Sequence, residues 1–289
     1  MAVNITVDFL SNCTFQSGSN NSDDPFYQCM DSYPGNVITA FNIIVNIIIF
    51  LPLNCWILWL VRRNTGVTWS DFVISNQSVA EVICGIALIV FLSGTLLKKK
   101  VVTIISNYLC STFLVGRPLF QTVFCVERYL AVVHPLVYLK YTKDHKHKVF
   151  FVGLVWLIIL IFGWYTVYSY PKVPVWFFLG IYSATLVVCS SCSVMILLVL
   201  KRPKPGDGKE KATAYQVKRK AFVAITVILI TLVFGYGTVS CVVVLMDQLP
   251  YRIYCLVTSL GWWTLIPSSA IQPYLYLSKI NRLPCMKNI

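Results

Sequence analysis

Seven apolar runs, each long enough to cross a bilayer as a helix, limit what this chain can fold into more than any other feature. A helix needs about 20 apolar residues to cross the hydrocarbon core, where only helices and closed barrels satisfy the backbone. These runs are far too long for barrel strands. They lie near 37–61, 71–97, 101–127, 148–169, 175–200, 221–246 and 253–277. The sequence therefore predicts an all-α, seven-transmembrane helix bundle in one domain, 36–280.

The composition agrees with a lipid environment, because 57% of the residues are hydrophobic and only 12% are charged. The net charge of +13 would suit a nucleic-acid partner. However, the basic residues lie between apolar runs and form no soluble basic domain, so we expect membrane lipid and no nucleic acid. Apart from a loose Cys189/Cys192 pair, no spacing suggests a metal site, and no arrangement suggests catalysis. We expect no metal, no cofactor and no enzyme activity.

The lysines and arginines predict the orientation of the bundle. Most of them fall in segments 62–70, 128–147, 201–220 and 278–289, which alternate on the side away from the N-terminus. Cytoplasmic loops carry such an excess, so the N-terminus is predicted to be extracellular. The exceptions on the other side are Lys98, Lys99, Lys100, Lys172 and Arg252.

The two ends of the chain fit this orientation. Residues 1–35 are polar and acidic, and they contain glycosylation sequons at Asn4, Asn12 and Asn20. We expect an extracellular glycosylated tail there and a short cytoplasmic tail at 281–289.

Glu127 and Arg128 stand side by side near the inner end of the third run. An arginine at this depth can act as an interfacial anchor that reaches the headgroups, or it can pair with its acidic neighbour. These two residues alone leave both possibilities open.

The stretch "ERYLAVVHPL", residues 127–136, resembles the Asp/Glu-Arg-Tyr motif and following loop of rhodopsin-like (class A) G-protein-coupled receptors. Further fragments resemble this family in the same order along the chain. They are Asn54 in "PLNCWILWLVRR", Glu81 in "SNQSVAE", Trp156 in "VGLVWLIIL" and the stretch "IQPYLY" at 271–276. The local sequence is most similar to the branch that holds nucleotide, chemokine and protease-activated receptors.

The resemblance implies a multi-pass plasma-membrane receptor that passes an extracellular ligand signal to a heterotrimeric G-protein. It also implies an arginine that its acidic neighbour holds inactive until the sixth helix swings outward. The residues implied to form this switch are Glu127, Arg128, Tyr129, Pro135, Leu136 and Tyr276. One alternative is a receptor-like protein that has lost coupling and acts as a scavenger or dimer partner. A transporter would instead be expected to show paired broken helices or proton-relay acids.

Glu81 and Arg117 are predicted to form a buried pair. Arg117 lies roughly 16 Å from the inner face, counted from Arg128, and Glu81 about 15 Å, counted from Asp71. A charge at mid-bilayer is costly unless it is paired. In the family, the acid of the second helix binds sodium, and the resemblance implies that Arg117 replaces that ion, with Ser268 and Gln272 nearby. The alternative is a protonated Glu81, with Arg117 facing another water-filled gap.

The sequence also departs from the family. The usual outer disulfide lacks both cysteines, and the resemblance implies a bridge between Cys29 and Cys255 instead, with a local Cys13–Cys29 link as the rival. The sixth run reads "VFGYGTV" at 233–239, where the family has tryptophan and proline. The fifth run has no proline. These absences motivate the alternative of a receptor that no longer couples.

The sequence does not identify the ligand. Cys110 lies where amine receptors carry aspartate, which argues against a simple amine. Lys98–Lys100 could steer an anion such as a nucleotide, an acidic peptide or a lipid headgroup, or form only a solvated loop. The aromatic candidates could equally be interfacial anchors. The predicted pocket residues are Tyr108, Cys110, Phe113, Tyr168, Trp262 and Trp263.

Overall fold

The structure is a computed structural model, and it describes most of the seven predicted spans. The described residues are 35–63, 68–97, 100–143, 145–169, 175–201, 219, 222–245, 250–265, 269–270, 273–274 and 276–277. The sequons at Asn4, Asn12 and Asn20 lie outside them, as do Cys13, Cys29, Lys98, Lys99, Ser268 and Gln272.

Every regular element in the described part of the chain is helical. Three of the eight helices contain a π-helical turn. Helix α1 comprises Gly35–Val45, the π turn Asn46–Phe50 and Leu51–Arg63, and α2 is Trp69–Leu97. Helix α3 comprises Lys100–Ser111, the π turn Thr112–Gly116 and Arg117–Val133. It is followed by α4 (Pro135–Lys143), α5 (His145–Tyr168) and α6 (Val175–Lys201). Helix α7 comprises 222–231, the π turn Leu232–Tyr236 and Gly237–Val244, and α8 is Tyr251–Thr264.

Six of these helices are long and apolar enough to cross a membrane, so the chain is a multi-pass membrane protein. These candidate spans are Val37–Arg63, Trp69–Gly94, Ile104–Val133, His147–Tyr168, Trp176–Val199 and Phe222–Val242. They overlap the first six predicted runs and confirm an all-α architecture over the described residues. The seventh run is described only in part, through α8 and short pieces up to residue 277. A seven-helix bundle with an extracellular N-terminus therefore stays a prediction.

The helix of the third span extends beyond the predicted apolar run near 101–127. It continues past Glu127 and Arg128 to Val133. His134 leaves the helical conformation, with φ −127° and ψ 64°, directly before Pro135. Pro135 then opens α4 instead of starting an irregular loop, because proline has the right φ for a first helical position and needs no amide partner there.

Polar and apolar side chains are arranged as in a bundle whose solvent is lipid. Large apolar side chains such as Ile48, Trp164 and Phe234 point outward and are at least two-thirds exposed. Glu81 and Arg117 are buried inside. Helices α2 and α3 are the most enclosed, with about half of each span buried against 28% for the other four. Helix α3 packs against α2, α5 and α6. This places Arg117 of α3 at the centre of the bundle.

Candidate functional site

Arg117 and Glu81 form a buried ion pair at the centre of the bundle. Arg117 follows the π turn of α3 directly, and Glu81 lies on the facing side of α2. The guanidinium Nε lies 2.6 Å from Glu81 Oε1 and Nη2 lies 2.7 Å from Oε2, so the two groups meet fork to fork. The side chains are only 1% and 7% exposed. The structure therefore brings together the two charges whose depths match in the sequence.

The guanidinium also binds the chain around α8. Arg117 Nη1 donates to Leu265 O at 2.9 Å, and Nη2 donates to Ser269 Oγ at 2.6 Å. Its Cζ atom lies 3.8 Å from the centre of the Phe113 ring, which adds a cation–π contact. A buried charge is tolerable only when such partners replace its hydration. Arg117 thus joins α2, α3 and the end of α8 through one planar group.

Ser268 and Gln272, in the seventh predicted run, were the expected further partners of the pair. Both lie outside the described residues, and the hydroxyl that binds Arg117 belongs to Ser269. The sequence analysis missed Ser269 and the Leu265 carbonyl. Two neighbouring serines cannot be separated by pattern alone, because one step along a helix turns a side chain by about 100°. A backbone acceptor leaves no mark in the sequence.

A second charged cluster lies where α3 meets α4, and we call this end of the bundle the Arg128 end. Glu127 is buried, and its Oε1 accepts hydrogen bonds from Ser70 Oγ at 3.0 Å and from Tyr138 OH at 2.9 Å. Arg128 Nη2 donates to Ser70 Oγ at 3.0 Å. The Arg128 Nε atom lies 3.3 Å from Glu127 Oε2. The cluster therefore joins α2, α3 and α4 around one carboxylate.

Arg128 is held less tightly than Arg117. Its side chain is 29% exposed, and its Nε approaches Glu127 Oε2 without the alignment of a hydrogen bond. Its Cζ atom lies 4.9 Å from the centre of the Phe124 ring. The pairing with Glu127 that the sequence left open is thus present, together with partial exposure at the end of the span. Ser70 and Tyr138 were not predicted as partners, because a single serine and a tyrosine beyond the span carry no distinctive signal in the sequence.

The remaining residues of the predicted switch differ in their contacts and exposure. The Tyr129 hydroxyl lies 3.2 Å from His134 Nε2. Pro135 and Leu136 are exposed, Leu136 by 82%. Tyr276 is buried within the bundle.

The predicted pocket residues have different neighbours in the described part of the chain. Phe113 and Trp262 meet, with ring centres 6.1 Å apart. Trp263 instead stacks on Phe41 of α1 at 5.1 Å, and Tyr168 is 82% exposed. No described cavity joins or separates these residues, so the pocket stays a prediction. Tyr108 and Cys110 are partly buried on α3.

The end of the bundle at which α8 begins holds a disulfide-bonded cysteine, and we call it the Cys255 end. Cys255 is buried and disulfide-bonded. Cys29 lies outside the described residues, so the Cys29–Cys255 bridge stays a prediction. Nearby, the hydroxyls of Thr39 and Ser259 lie 3.0 Å apart, and Trp263 Nε1 donates to Ile38 O at 3.2 Å. These contacts join α1 to α8 beside Cys255.

Comparison with models of known protein families finds no match, and comparison with curated protein sequences finds no relative.

Proposed function

We propose that this chain is a seven-helix plasma-membrane receptor of the rhodopsin-like type, which passes an extracellular signal to a heterotrimeric G-protein. The proposal includes an extracellular, glycosylated N-terminal tail and a cytoplasmic Arg128 end. Its support is the set of sequence resemblances together with the arrangement at Glu127 and Arg128. The ligand is not identified. The three lysines Lys98–Lys100 favour an anionic ligand, such as a nucleotide, a peptide or a lipid.

The observation that carries the proposal is the shared carboxylate of Glu127. Ser70 and Tyr138 both donate to it, so it keeps two hydrogen bonds when Arg128 leaves. Arg128 has an exposed edge and can be hydrated or bound by a partner in a second position. An ion pair with two accessible arrangements is an element that a ligand elsewhere can bias. Leu136, exposed on α4 nearby, is the residue that the resemblance assigns to the G-protein contact.

The central polar site that contains Arg117 differs from the one that the resemblance implies. In the family this site holds sodium, but the residues here do not fit the ion. Both carboxylate oxygens of Glu81 bind the guanidinium, which supplies the positive charge from within the chain. We therefore propose that Arg117 replaces sodium as a tethered counter-ion.

A receptor-like protein without coupling is the second candidate. The observation that favours it is the composition of α7, which has glycines in and after its π turn and lacks the tryptophan and proline of the family. Such a protein would act as a scavenger or dimer partner, and its Glu127–Arg128 cluster would be a structural contact. The two candidates differ in one measurable property, which is nucleotide exchange on a G-protein.

The test is basal nucleotide exchange on a panel of purified G-protein heterotrimers by the full chain in lipid nanodiscs. We expect exchange above that of empty nanodiscs with at least one heterotrimer, and its loss in Arg128→Ala. Arg63→Ala is the matched control, since Arg63 is an exposed arginine that ends α1 and lies 5.2 Å from the Trp59 ring centre. Absence of exchange with every heterotrimer would favour the second candidate. Exchange that persists in Arg128→Ala would instead rule out Arg128 as part of the switch.

A further inference from the structure

Three hydrogen bonds join α3, α7 and α8 in a closed ring near the centre of the bundle. In each bond a side chain of one helix donates to a backbone carbonyl of the next. Each helix or its end therefore contributes one donor and one acceptor. The bonds are Arg117 Nη1 to Leu265 O at 2.9 Å, Thr264 Oγ1 to Gly235 O at 3.2 Å and Tyr236 OH to Phe113 O at 3.3 Å. We call this arrangement the three-helix ring.

The acceptors of the ring lie where the helices are irregular. Phe113 and Gly235 lie in the π turns of α3 and α7. Leu265 follows the last residue of α8. π turns and helix ends disturb the regular ladder of backbone bonds and leave carbonyls that need other donors. Since hydrocarbon offers no water to these groups, side chains from neighbouring helices are the donors at hand.

The contact between α7 and α8 is close at Gly235, where a side chain would crowd the neighbouring helix. A Cβ atom on Gly235 would lie 3.0 Å from Thr264 O and 3.3 Å from Leu265 Cδ2. The Thr264 hydroxyl is also 2.6 Å from Gly261 O in its own helix, so its single proton is shared between two carbonyls. Tyr236 and Leu265 are fully buried. The ring is therefore tightly packed and shielded from water.

The strengths of the three bonds differ in a way that singles out α7. Arg117 carries a charge and also holds Glu81 and Ser269, and charge-assisted bonds are about twice as strong as neutral ones. The two bonds that involve α7 are neutral and long, and one of them shares its proton. If the ring opens, it opens at Tyr236 and Thr264. Helix α7 then separates while Arg117 keeps α3 joined to the end of α8.

We propose that the three-helix ring is a conformational lock that holds α7 against α3 and α8. One of its three helices is α7, in which the resemblance leads us to expect a tryptophan and a proline. In this chain α7 has a π turn and Gly235 in that region. This inference rests on the proposed function only for its consequence, which is that release of α7 exposes the Arg128 end to a G-protein. The lock itself concerns only the position of α7 and can be tested without a G-protein.

The experiment measures the position of α7 directly. Spin labels on noncanonical amino acids, which spare the native cysteines, are placed at Val223 and Val149, both about half exposed on α7 and α5. Pulsed electron–electron double resonance on the full chain in nanodiscs then gives the distance distribution between the two labels. From it we obtain the ratio of molecules with α7 separated to molecules with α7 closed. Tyr236→Phe removes one hydroxyl, and we expect this ratio to rise about fivefold, the worth of one buried neutral hydrogen bond.

Thr264→Val tests the other neutral bond, and Thr264→Ser is its rescue, because serine keeps the hydroxyl. Thr238→Val is the matched control, since the Thr238 hydroxyl bonds Phe234 O within α7 at 2.6 Å. We expect Thr264→Val to raise the ratio and both Thr264→Ser and Thr238→Val to leave it unchanged. In a closed ring the double variant with Tyr236→Phe should change the ratio by less than the product of the single effects. Distance distributions equal to those of Thr238→Val in both single variants would overturn the lock.

Nucleotide exchange on the same samples separates this inference from the proposed function. Separation of α7 without any increase in exchange supports the lock and counts against G-protein coupling. Increased exchange with an unchanged α7 position supports coupling and overturns the lock.

Discussion

Replacing Glu81 by glutamine should destabilise the protein strongly, because it leaves the Arg117 guanidinium buried without its counter-charge. The carboxylate accepts two short bonds, and both side chains are less than a tenth exposed. Removing one partner of a buried ion pair costs about 3–5 kcal/mol. The amide keeps one acceptor oxygen, and Leu265 O and Ser269 Oγ still receive the guanidinium. We therefore expect the lower end, about 3 kcal/mol.

This free energy converts to a measurable shift in melting temperature. An unfolding entropy of about 2.1 cal/mol/K per residue gives roughly 0.6 kcal/mol/K for 289 residues. The Tm of Glu81→Gln should then fall by about 5 °C. The assay is thermal unfolding followed by a thiol-reactive fluorophore, which suits this chain because several free cysteines become reactive only on unfolding. The buried ones are Cys84, Cys125, Cys189 and Cys192.

Two further variants make the result interpretable. Ser191→Ala is the control, since the exposed Ser191 hydroxyl bonds only Val187 O in its own helix among the contacts shown, and we expect no shift beyond about 1 °C. The double variant Glu81→Met with Arg117→Met removes both charges and should recover at least half of the loss. Equal Tm values for Glu81→Gln and Ser191→Ala would refute the cost of the unpaired charge. So would a Tm decrease in the double variant as large as the sum of the decreases in the two single variants.

Three other outcomes are expected from single changes. Glu127→Gln should raise basal nucleotide exchange above wild type, because an amide holds Arg128 less strongly than a carboxylate; an unchanged basal rate in a responsive G-protein assay would rule out the switch. Arg117→Ser should make the Tm higher in sodium chloride than in choline chloride, since Glu81 then lacks an internal cation, whereas wild type should show no difference; equal Tm values for the variant would contradict counter-ion replacement. Trp156→Phe should lower the Tm by about 2 °C, because it removes the bond from Trp156 Nε1 to Asn76 Oδ1 at 3.1 Å and keeps the ring contact with Phe120. A wild-type Tm for this variant would mean that the indole bond adds no stability.

The helical architecture could be read from the sequence because lipid permits so few alternatives. A run of about 20 apolar residues has one common solution in a bilayer, and six such runs are helices in the described structure. The Glu81–Arg117 pair followed from the same regularity, because a constant rise per residue converts sequence distance into depth. Depth does not give the direction in which a side chain points around the helix axis. That direction determines that Ser269 binds Arg117.

The π turns and the carbonyls of the three-helix ring could not be predicted. The segment Thr112–Gly116 reads as an ordinary apolar stretch, and nothing in its sequence predicts the π turn that the structure has there. In the sequence, Gly235 and Gly237 lie in the stretch where the family has tryptophan and proline, and glycines there suggest a bend in the helix. In the structure, Gly235 belongs to a π turn and permits close contact with Thr264 and Leu265. A glycine in a membrane helix therefore indicates close approach as readily as bending.

The two arginines of α3 show how one helix can hold a fixed charge and a movable one. Arg117 is 1% exposed and binds Glu81, Leu265 O and Ser269 with bonds of 2.6–2.9 Å, so displacing it would leave several buried acceptors without a donor. Arg128 is 29% exposed and makes one hydrogen bond, to Ser70, beside its looser contact with Glu127. Water can hydrate the exposed edge of Arg128, and the carboxylate that it leaves keeps its hydrogen bonds from Ser70 and Tyr138. Mobility should therefore concentrate at Arg128 and in α7, while Arg117 keeps α2, α3 and the end of α8 together as the fixed part of the bundle.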